Sequence, residues 1–104
     1  ELPLAVQGAI IATVAQFDLG VSTFLFLQLP LSGRTIYKLG SEEQKQKYLP
    51  DLIALRTVWG WALTEREVGS NSTRLGTTYT KSEDGLILKG NKRWIGNGNR
   101  DYVI

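Results

Sequence analysis

Apolar residues in the first part of the chain recur every three or four positions, which is the period of an α-helix. Five apolar residues lie near one face of such a helix: Leu4, Ile10, Ile11, Val14 and Phe17. We therefore predict a first helix over roughly residues 3–17. Asp18 is a residue type that caps helix N-termini, so a second helix is predicted to begin there and run to Leu39. Its apolar residues are so dense that we expect protein to cover more than one of its faces.

Local signals place the ends of these helices. Pro30 lacks a backbone N–H and predicts a kink in the second helix. Gly40 suits the position after a helix C-terminus, where the backbone often turns into the left-handed region. Ser41 followed by Gln44 forms a capping-box pattern, which predicts a short polar helix from Ser41 to Tyr48.

After Pro50, which is predicted to start a new turn, β-forming residues replace the helical pattern from Thr57 onward. Asp84 and Gly85 form a tight-turn signal and predict a hairpin. Strands are predicted over residues 57–63, 77–82, 86–89, 92–95 and 101–104. The predicted fold class is α+β, in which amino-terminal helices precede the start of an antiparallel β domain.

Composition excludes several kinds of chemistry. The 104 residues contain neither Cys nor His, so disulfides, thiolate metal sites and Ser-His-Asp catalysis are excluded within the chain. A net charge of +2 with interspersed signs does not favour nucleic acid as a partner. The apolar run over residues 19–31 is shorter than the roughly 20 residues of a membrane span. The chain begins with Glu and lacks Met, so we expect it to be part of a longer polypeptide.

Two segments carry the candidate chemistry, residues 61–71 and residues 89–97. The first runs from an apolar strand into a turn with the Thr64 hydroxyl, a carboxylate and a Gly-Ser pair that ends at Ser70. The second ends in Trp94 just before a glycine turn. Together they could hold a planar, phosphate-bearing cofactor. Each residue also has an ordinary interpretation, since Trp94 could be a core aromatic and Thr64 could only complete a turn.

Three segments in order, residues 40–50, 61–71 and 89–97, resemble motifs of the acyl-CoA dehydrogenase and acyl-CoA oxidase flavoproteins. The first matches the family's Gly-Ser…Gln-Lys…Tyr-Leu-Pro run, the second its Thr-Glu…Gly-Ser run, and the third its Lys-x-Trp-Ile run. The resemblance implies that residues 1–56 are part of an amino-terminal helical domain and residues 57–104 the first part of a middle β domain. The family's carboxy-terminal helical domain is expected to lie outside this chain.

The resemblance also implies site residues. Those expected to bind FAD are Trp61, Ala62, Leu63, Thr64, Ser70, Trp94, Ile95 and Gly96. Leu63 would offer backbone groups to the flavin ring, the Thr64 hydroxyl would bond its pyrimidine side, and Trp94 would pack against it. Ser70 would also approach the acyl-CoA thioester. The family's catalytic Glu has no counterpart here, so no catalytic residue and no metal ligand is assigned, and Glu65 is expected to hold the turn.

The implied function is FAD-dependent oxidation of acyl-CoA thioesters to 2-enoyl-CoA in fatty-acid or amino-acid catabolism. The resemblance also implies a homo-oligomer (a tetramer or dimer) or a larger assembly, located in the mitochondrial matrix or peroxisome. Three positions depart from the family pattern: Arg66 stands for Pro, Asn71 for Asp and Gly96 for Thr. Gly96 is compatible with plant-type short-chain acyl-CoA oxidases, whose Arg-Trp-Ile-Gly-Asn run is similar. Dehydrogenase and oxidase both remain open. The alternative is a non-catalytic relative with a structural or interaction role.

Overall fold

The structure, a computed structural model, describes residues 2–104. It divides into two compact units. The first comprises the chain up to Trp61 together with Gly96–Ile104, and the second comprises Ala62–Ile95. Among the described residues, no helix combines the length and the apolar character needed to cross a bilayer.

The first unit begins with two helices close to their predicted positions. Helix α1 spans Leu4–Ala15 and helix α2 spans Leu19–Phe26. The Asp18 side chain accepts a hydrogen bond from the backbone N–H of Val21 at 2.9 Å. This bond satisfies one of the backbone donors that a helix N-terminus leaves without a partner, so the predicted N-cap is confirmed.

Helix α2 continues directly into a π-helical segment, Leu27–Gly33, and then into helix α3, Arg34–Leu39. Pro30 lies inside the π-helical segment. A proline removes one backbone donor and crowds the carbonyl four residues earlier, and the wider π turn relieves that crowding. The irregularity predicted at Pro30 therefore takes the form of a π-helical segment.

Gly40 ends α3, but the prediction of a left-handed backbone there is wrong. Its φ of −71° and ψ of 151° are extended. Glycine is required for a different reason, since a Cβ at this position would lie 2.6 Å from the Ile36 carbonyl oxygen. The close approach of the chain to the end of α3, rather than a special φ, accounts for the glycine.

Helix α4 spans Glu42–Ile53 and begins with the predicted capping box. The Ser41 hydroxyl accepts from the Gln44 N–H at 3.2 Å, and the Ser41 N–H donates to the Gln44 side chain at 2.8 Å. The prediction that Pro50 starts a new turn is wrong, because Pro50 lies inside α4. The helix continues past it to bring Leu52, which is fully buried, into the core.

The core of the first unit combines apolar and aromatic packing. Ile36, Leu52 and Trp59 are buried together. The Trp59 ring stacks on Tyr102 with 4.5 Å between centroids, and Tyr48 packs edge-on against both rings. These aromatic contacts join helix α4 to the two short strands β1, Trp59–Gly60, and β4, Tyr102–Val103.

A buried amide fixes the start of strand β1. Gln28 is fully buried; its side-chain oxygen accepts from the Trp59 N–H at 2.9 Å, and its nitrogen donates to the Thr57 carbonyl at 2.6 Å. The π-helical segment therefore anchors the strand that leads into Trp61 and the predicted cofactor segment.

The second unit contains a β-hairpin. Strand β2, Thr78–Ser82, pairs antiparallel with strand β3, Gly85–Lys89, and Ser82 lies opposite Gly85. Gly85 has a φ of +133°, a conformation that favours glycine. The predicted hairpin and the α+β fold class, helices followed by a small sheet, are confirmed.

Two details of the strand prediction need correction. Strands β1 and β4 pair in parallel, which is possible because the long stretch between Gly60 and Tyr102 serves as a crossover connection. Residues 92–95 do not form a strand, and their β pairing is limited to an isolated bridge between Lys92 and Glu65. Trp94 has a φ of +62°, which is incompatible with an extended strand.

Candidate functional site

The second unit brings two of the predicted cofactor segments side by side. The bridge between Glu65 and Lys92 aligns them, and the Arg93 N–H donates to the Thr64 carbonyl at 3.0 Å. The Lys92 ammonium donates to the Leu63 carbonyl at 3.1 Å. Ala62, Leu63 and Thr64 are half-buried along this line.

Glu65 is the most densely hydrogen-bonded side chain of these segments. One carboxylate oxygen accepts from the Lys92 ammonium at 2.9 Å and from both the N–H and the hydroxyl of Thr77. The other accepts from the Gly76 N–H at 2.6 Å. The carboxylate thus ties the turn after Thr64 to residues 76–77 and to Lys92, which agrees with the structural role expected for Glu65.

These donors lower the pKa of Glu65 from 4.5 to about 2. The largest cause is the Thr77 hydroxyl, followed by the Gly76 N–H and the Lys92 ammonium, while loss of hydration acts in the opposite direction. Glu65 is therefore ionised at neutral pH and holds its proton too weakly to serve as a general acid there.

Beside this carboxylate, polar groups remain without partners. Within residues 2–104, the backbone N–H groups of Leu63 and Thr64 and the Thr64 hydroxyl make no hydrogen bond to the protein. Because the described protein groups do not use these donors, they are available to a ligand with acceptor oxygens.

Trp94 presents a large aromatic surface on the second segment. Its side chain is 81% exposed, and the Arg93 guanidinium lies 4.6 Å from the centre of its ring. A positive φ is rare for a bulky residue and is typically retained where function requires it. The next residue, Ile95, is half-buried. Within residues 2–104, Trp94 is thus not part of a packed core.

The remaining predicted site residues are placed as follows. Ser70 is exposed in a loop of the second unit and makes no hydrogen bond within the described part of the chain. Trp61, half-buried, and Gly96, exposed, belong to the first unit. A Cβ added at Gly96 would lie 3.1 Å from a methyl carbon of Leu27, so the glycine permits a close approach of that side chain.

Sequence reasoning missed two members of the arrangement. Lys92 and Thr77 complete the environment of Glu65, although neither was singled out. A signal for Lys92 did exist, because it lies in the segment that contains Trp94. Thr77 had no such signal, since its contact depends on how residues 65 and 77 fold together.

Comparisons with known proteins give consistent matches. A family model described as "Acyl-CoA dehydrogenase, N-terminal domain" matches residues 2–56, more than half of the chain. The chain is similar to the mitochondrial isobutyryl-CoA dehydrogenase of Dictyostelium discoideum, at 35% identity over 94 residues, which cover 90% of this chain and 22% of that relative.

Solved structures give the same result. Glutaryl-CoA dehydrogenase from Mycobacterium smegmatis matches with a TM-score of 0.82 and 34% identity, over 86% of this chain and 24% of that one. A glutaryl-CoA dehydrogenase from the same organism in complex with FADH2 matches with a TM-score of 0.75 and 41% identity, over 79% of this chain and 21% of that one. The chain thus spans less than a quarter of the length of these relatives.

Proposed function

This chain belongs to the acyl-CoA dehydrogenase family, and we propose that its second unit forms part of the FAD site of an acyl-CoA dehydrogenase. The observation that carries the proposal is the pair of unpartnered N–H groups at Leu63 and Thr64, which lie on the segment joined to that of exposed Trp94. Likeness to an enzyme solved with FADH2 supports the same cofactor.

The residues present fit this cofactor chemically. A flavin ring is flat and carries carbonyl oxygens and ring nitrogens, so it needs short hydrogen-bond donors and an apolar face. Leu63 and Thr64 supply free donors, and Trp94 supplies a largely exposed aromatic ring. Cys and His are absent from the sequence, and nothing in flavin binding requires them.

In this proposal each residue has a separate task. The backbone of Leu63 and Thr64 and the Thr64 hydroxyl bind and orient the ring. Trp94 covers the ring and excludes water, and Ser70 lies near the acyl-CoA thioester. When bound, FAD would supply the hydride acceptor for oxidation of the acyl chain to the 2-enoyl-CoA. The base that removes the α-proton is assigned to no residue of this chain.

Two of the three departures from the family pattern, Arg66 and Asn71, leave these donors in place. Arg66 is exposed and pairs with Glu67 at 3.4 Å. The Asn71 side chain accepts from the Thr73 hydroxyl at 2.6 Å. Neither contact uses the Leu63 or Thr64 donors, so these two substitutions do not argue against flavin binding.

Finer features of the function belong to the same proposal. Names of similar proteins favour a dehydrogenase and a mitochondrial location. The matrix and peroxisome options rest on family resemblance, and the oxidase option rests on Gly96 and the same resemblance. We also infer an acyl-CoA substrate, assembly as a homo-oligomer, and the division into a helical domain over residues 1–56 and a β domain from 57 onward.

The proposal is tested by the flavin content of the full-length protein. Purified protein is expected to show the visible absorbance of bound flavin, and protein stripped of flavin is expected to regain it from added FAD. Protein that neither carries flavin nor binds added FAD would contradict the proposal, and the interaction-subunit alternative would replace it.

A further inference from the structure

We propose that Lys92 is a positioning residue for the flavin, a role that rests on the proposed function. Its ammonium is held by Glu65 and hydrogen-bonds the Leu63 carbonyl. It thereby fixes and polarises the peptide whose N–H belongs to Thr64. Lys92 acts through this peptide without contacting the cofactor itself.

The geometry gives Lys92 two simultaneous partners. Its ammonium lies 2.9 Å from a Glu65 carboxylate oxygen and 3.1 Å from the Leu63 carbonyl oxygen. The side chain is 23% exposed and that of Glu65 is 10% exposed, so solvent screens the pair only in part. A second tie, from the Arg93 N–H to the Thr64 carbonyl, holds the next peptide. Together these bonds restrict the orientation of the Leu63–Thr64 peptide.

The charge on Lys92 also affects what this peptide can bind. The Leu63 carbonyl and the Thr64 N–H belong to one conjugated amide plane. A cationic donor at the carbonyl oxygen draws electron density toward that oxygen, which makes the N–H of the same amide a stronger donor. Because the Thr64 N–H has no partner within residues 2–104, the strengthened donor is available to a flavin carbonyl.

The scaffold around Glu65 does not depend on Lys92 alone. The Gly76 N–H and both donors of Thr77 still bind the carboxylate if the ammonium is removed. A loss of flavin binding can therefore be distinguished from unfolding of the turn. The comparison also needs a variant in which the Glu65 carboxylate is neutralised, because removal of the Lys92 charge leaves that carboxylate without its cation.

The test compares the full-length protein with Lys92→Met, which keeps an unbranched side chain and removes the charge. The dissociation constant for FAD is expected to rise about three- to tenfold, the effect of weakening one hydrogen bond. The midpoint potential of bound flavin is expected to fall, because reduced flavin is richer in electrons at its carbonyls and loses more from a weaker donor. In flavin-free protein, the amide proton resonance of Thr64 is expected to move upfield.

Two further variants separate positioning from structural support. The double variant Glu65→Gln with Lys92→Met removes the carboxylate together with its cation, so no uncompensated charge remains in the turn. Thermal unfolding checks that this variant folds, because the amide nitrogen of Gln cannot accept a hydrogen bond as both carboxylate oxygens do now. The flavin affinity and potential are expected to stay at the Lys92→Met values, since the Leu63 carbonyl still lacks its cationic donor. Lys45→Met is the matched control, because Lys45 pairs with Glu42 on helix α4, and all three readouts should match wild type.

The outcomes distinguish the inference from the function on which it rests. Wild-type protein without flavin affinity would overturn the proposed function and this inference with it. Normal FAD affinity, potential and Thr64 resonance in folded Lys92→Met would overturn the inference alone. Recovery of flavin affinity and potential in the double variant would also overturn it, because Lys92 would then act only by neutralising Glu65.

Discussion

Different interactions stabilise the interior of each of the two units. The first has a buried cluster of Ile36, Leu52 and Trp59, with the fully buried amide of Gln28 beside it. In the second, none of residues 62–95 is buried, and the turn is held by hydrogen bonds and an ion pair at Glu65. Apolar burial is the main stabilising contribution in folding, whereas partly exposed polar contacts contribute less.

This difference indicates separate tasks for the units. A region whose donors and aromatic face stay uncovered can be completed by a ligand, and Leu63, Thr64 and Trp94 fit that description. We therefore expect substitutions in the first unit to change stability, and those in the second to change flavin binding with smaller effects on stability.

The largest effect is expected from Leu52→Ala in the first unit. Removing a fully buried leucine side chain leaves a cavity beside Ile36 and Trp59 and should lower the free energy of unfolding by about 2–5 kcal/mol. Denaturant unfolding measures this loss. Ile53→Ala in the same helix is the matched control, because Ile53 is 64% exposed. Equal losses for the two variants would contradict the assigned core.

Gln28→Leu tests the buried amide. The substitution would leave the Trp59 N–H and the Thr57 carbonyl without the hydrogen bonds that they now make to the Gln28 side chain. We expect a loss of about 1–3 kcal/mol in the free energy of unfolding, the cost of buried groups without partners. Gln46→Leu on the exposed face of α4 is the control and should change stability little. A neutral Gln28→Leu would show that strand β1 does not need this anchor.

Trp94→Ala tests the opposite behaviour in the second unit. Since this side chain is 81% exposed, its removal should leave the free energy of unfolding of flavin-free protein nearly unchanged. FAD binding should weaken by about 1–3 kcal/mol, because one ring face loses its packing surface. Titration of stripped full-length protein with FAD measures this. Tyr79→Ala is the control, because Tyr79 is also exposed in the same unit but lies on strand β2. Unchanged FAD affinity in Trp94→Ala would contradict the role assigned to this residue.

The sequence predicted what depends on neighbours along the chain. The Asp18 cap, the capping box at Ser41 and the hairpin turn are local patterns, and the structure contains all three. The continuation of α4 through Pro50 depends on the burial of Leu52, a long-range contact that local rules do not encode.

The candidate site follows the same division. The motifs pointed to Thr64 and Trp94 as candidate site residues, but they carried no information on which groups would surround Glu65. Lys92 and Thr77 reach it only once the second unit has folded. Strands β1 and β4 are distant in sequence, so the hydrophobic period of each segment could not predict that they pair in parallel.

The smallest expected effect concerns the pH dependence of the second unit. The pKa of Glu65 is about 2 in the folded protein, against an ordinary value of 4.5. A pKa lowered by folding adds stability that is complete above about pH 4.5 and is lost as pH falls toward about 2. The difference in unfolding free energy between wild type and Glu65→Gln should therefore be constant near neutral pH and shrink within that window.

Thermal unfolding of both proteins from neutral pH down to about pH 2 measures this difference, since the other carboxylates titrate in both and cancel. Glu42→Gln is the control, because the Glu42 carboxylate pairs with Lys45 on the exposed surface of α4 and should add little at any pH. A Glu65→Gln difference that stayed constant through the acid range would mean that the carboxylate charge does not hold this turn. The first unit would then still be stabilised by apolar burial, but the claim that electrostatic contacts stabilise the second unit would be wrong.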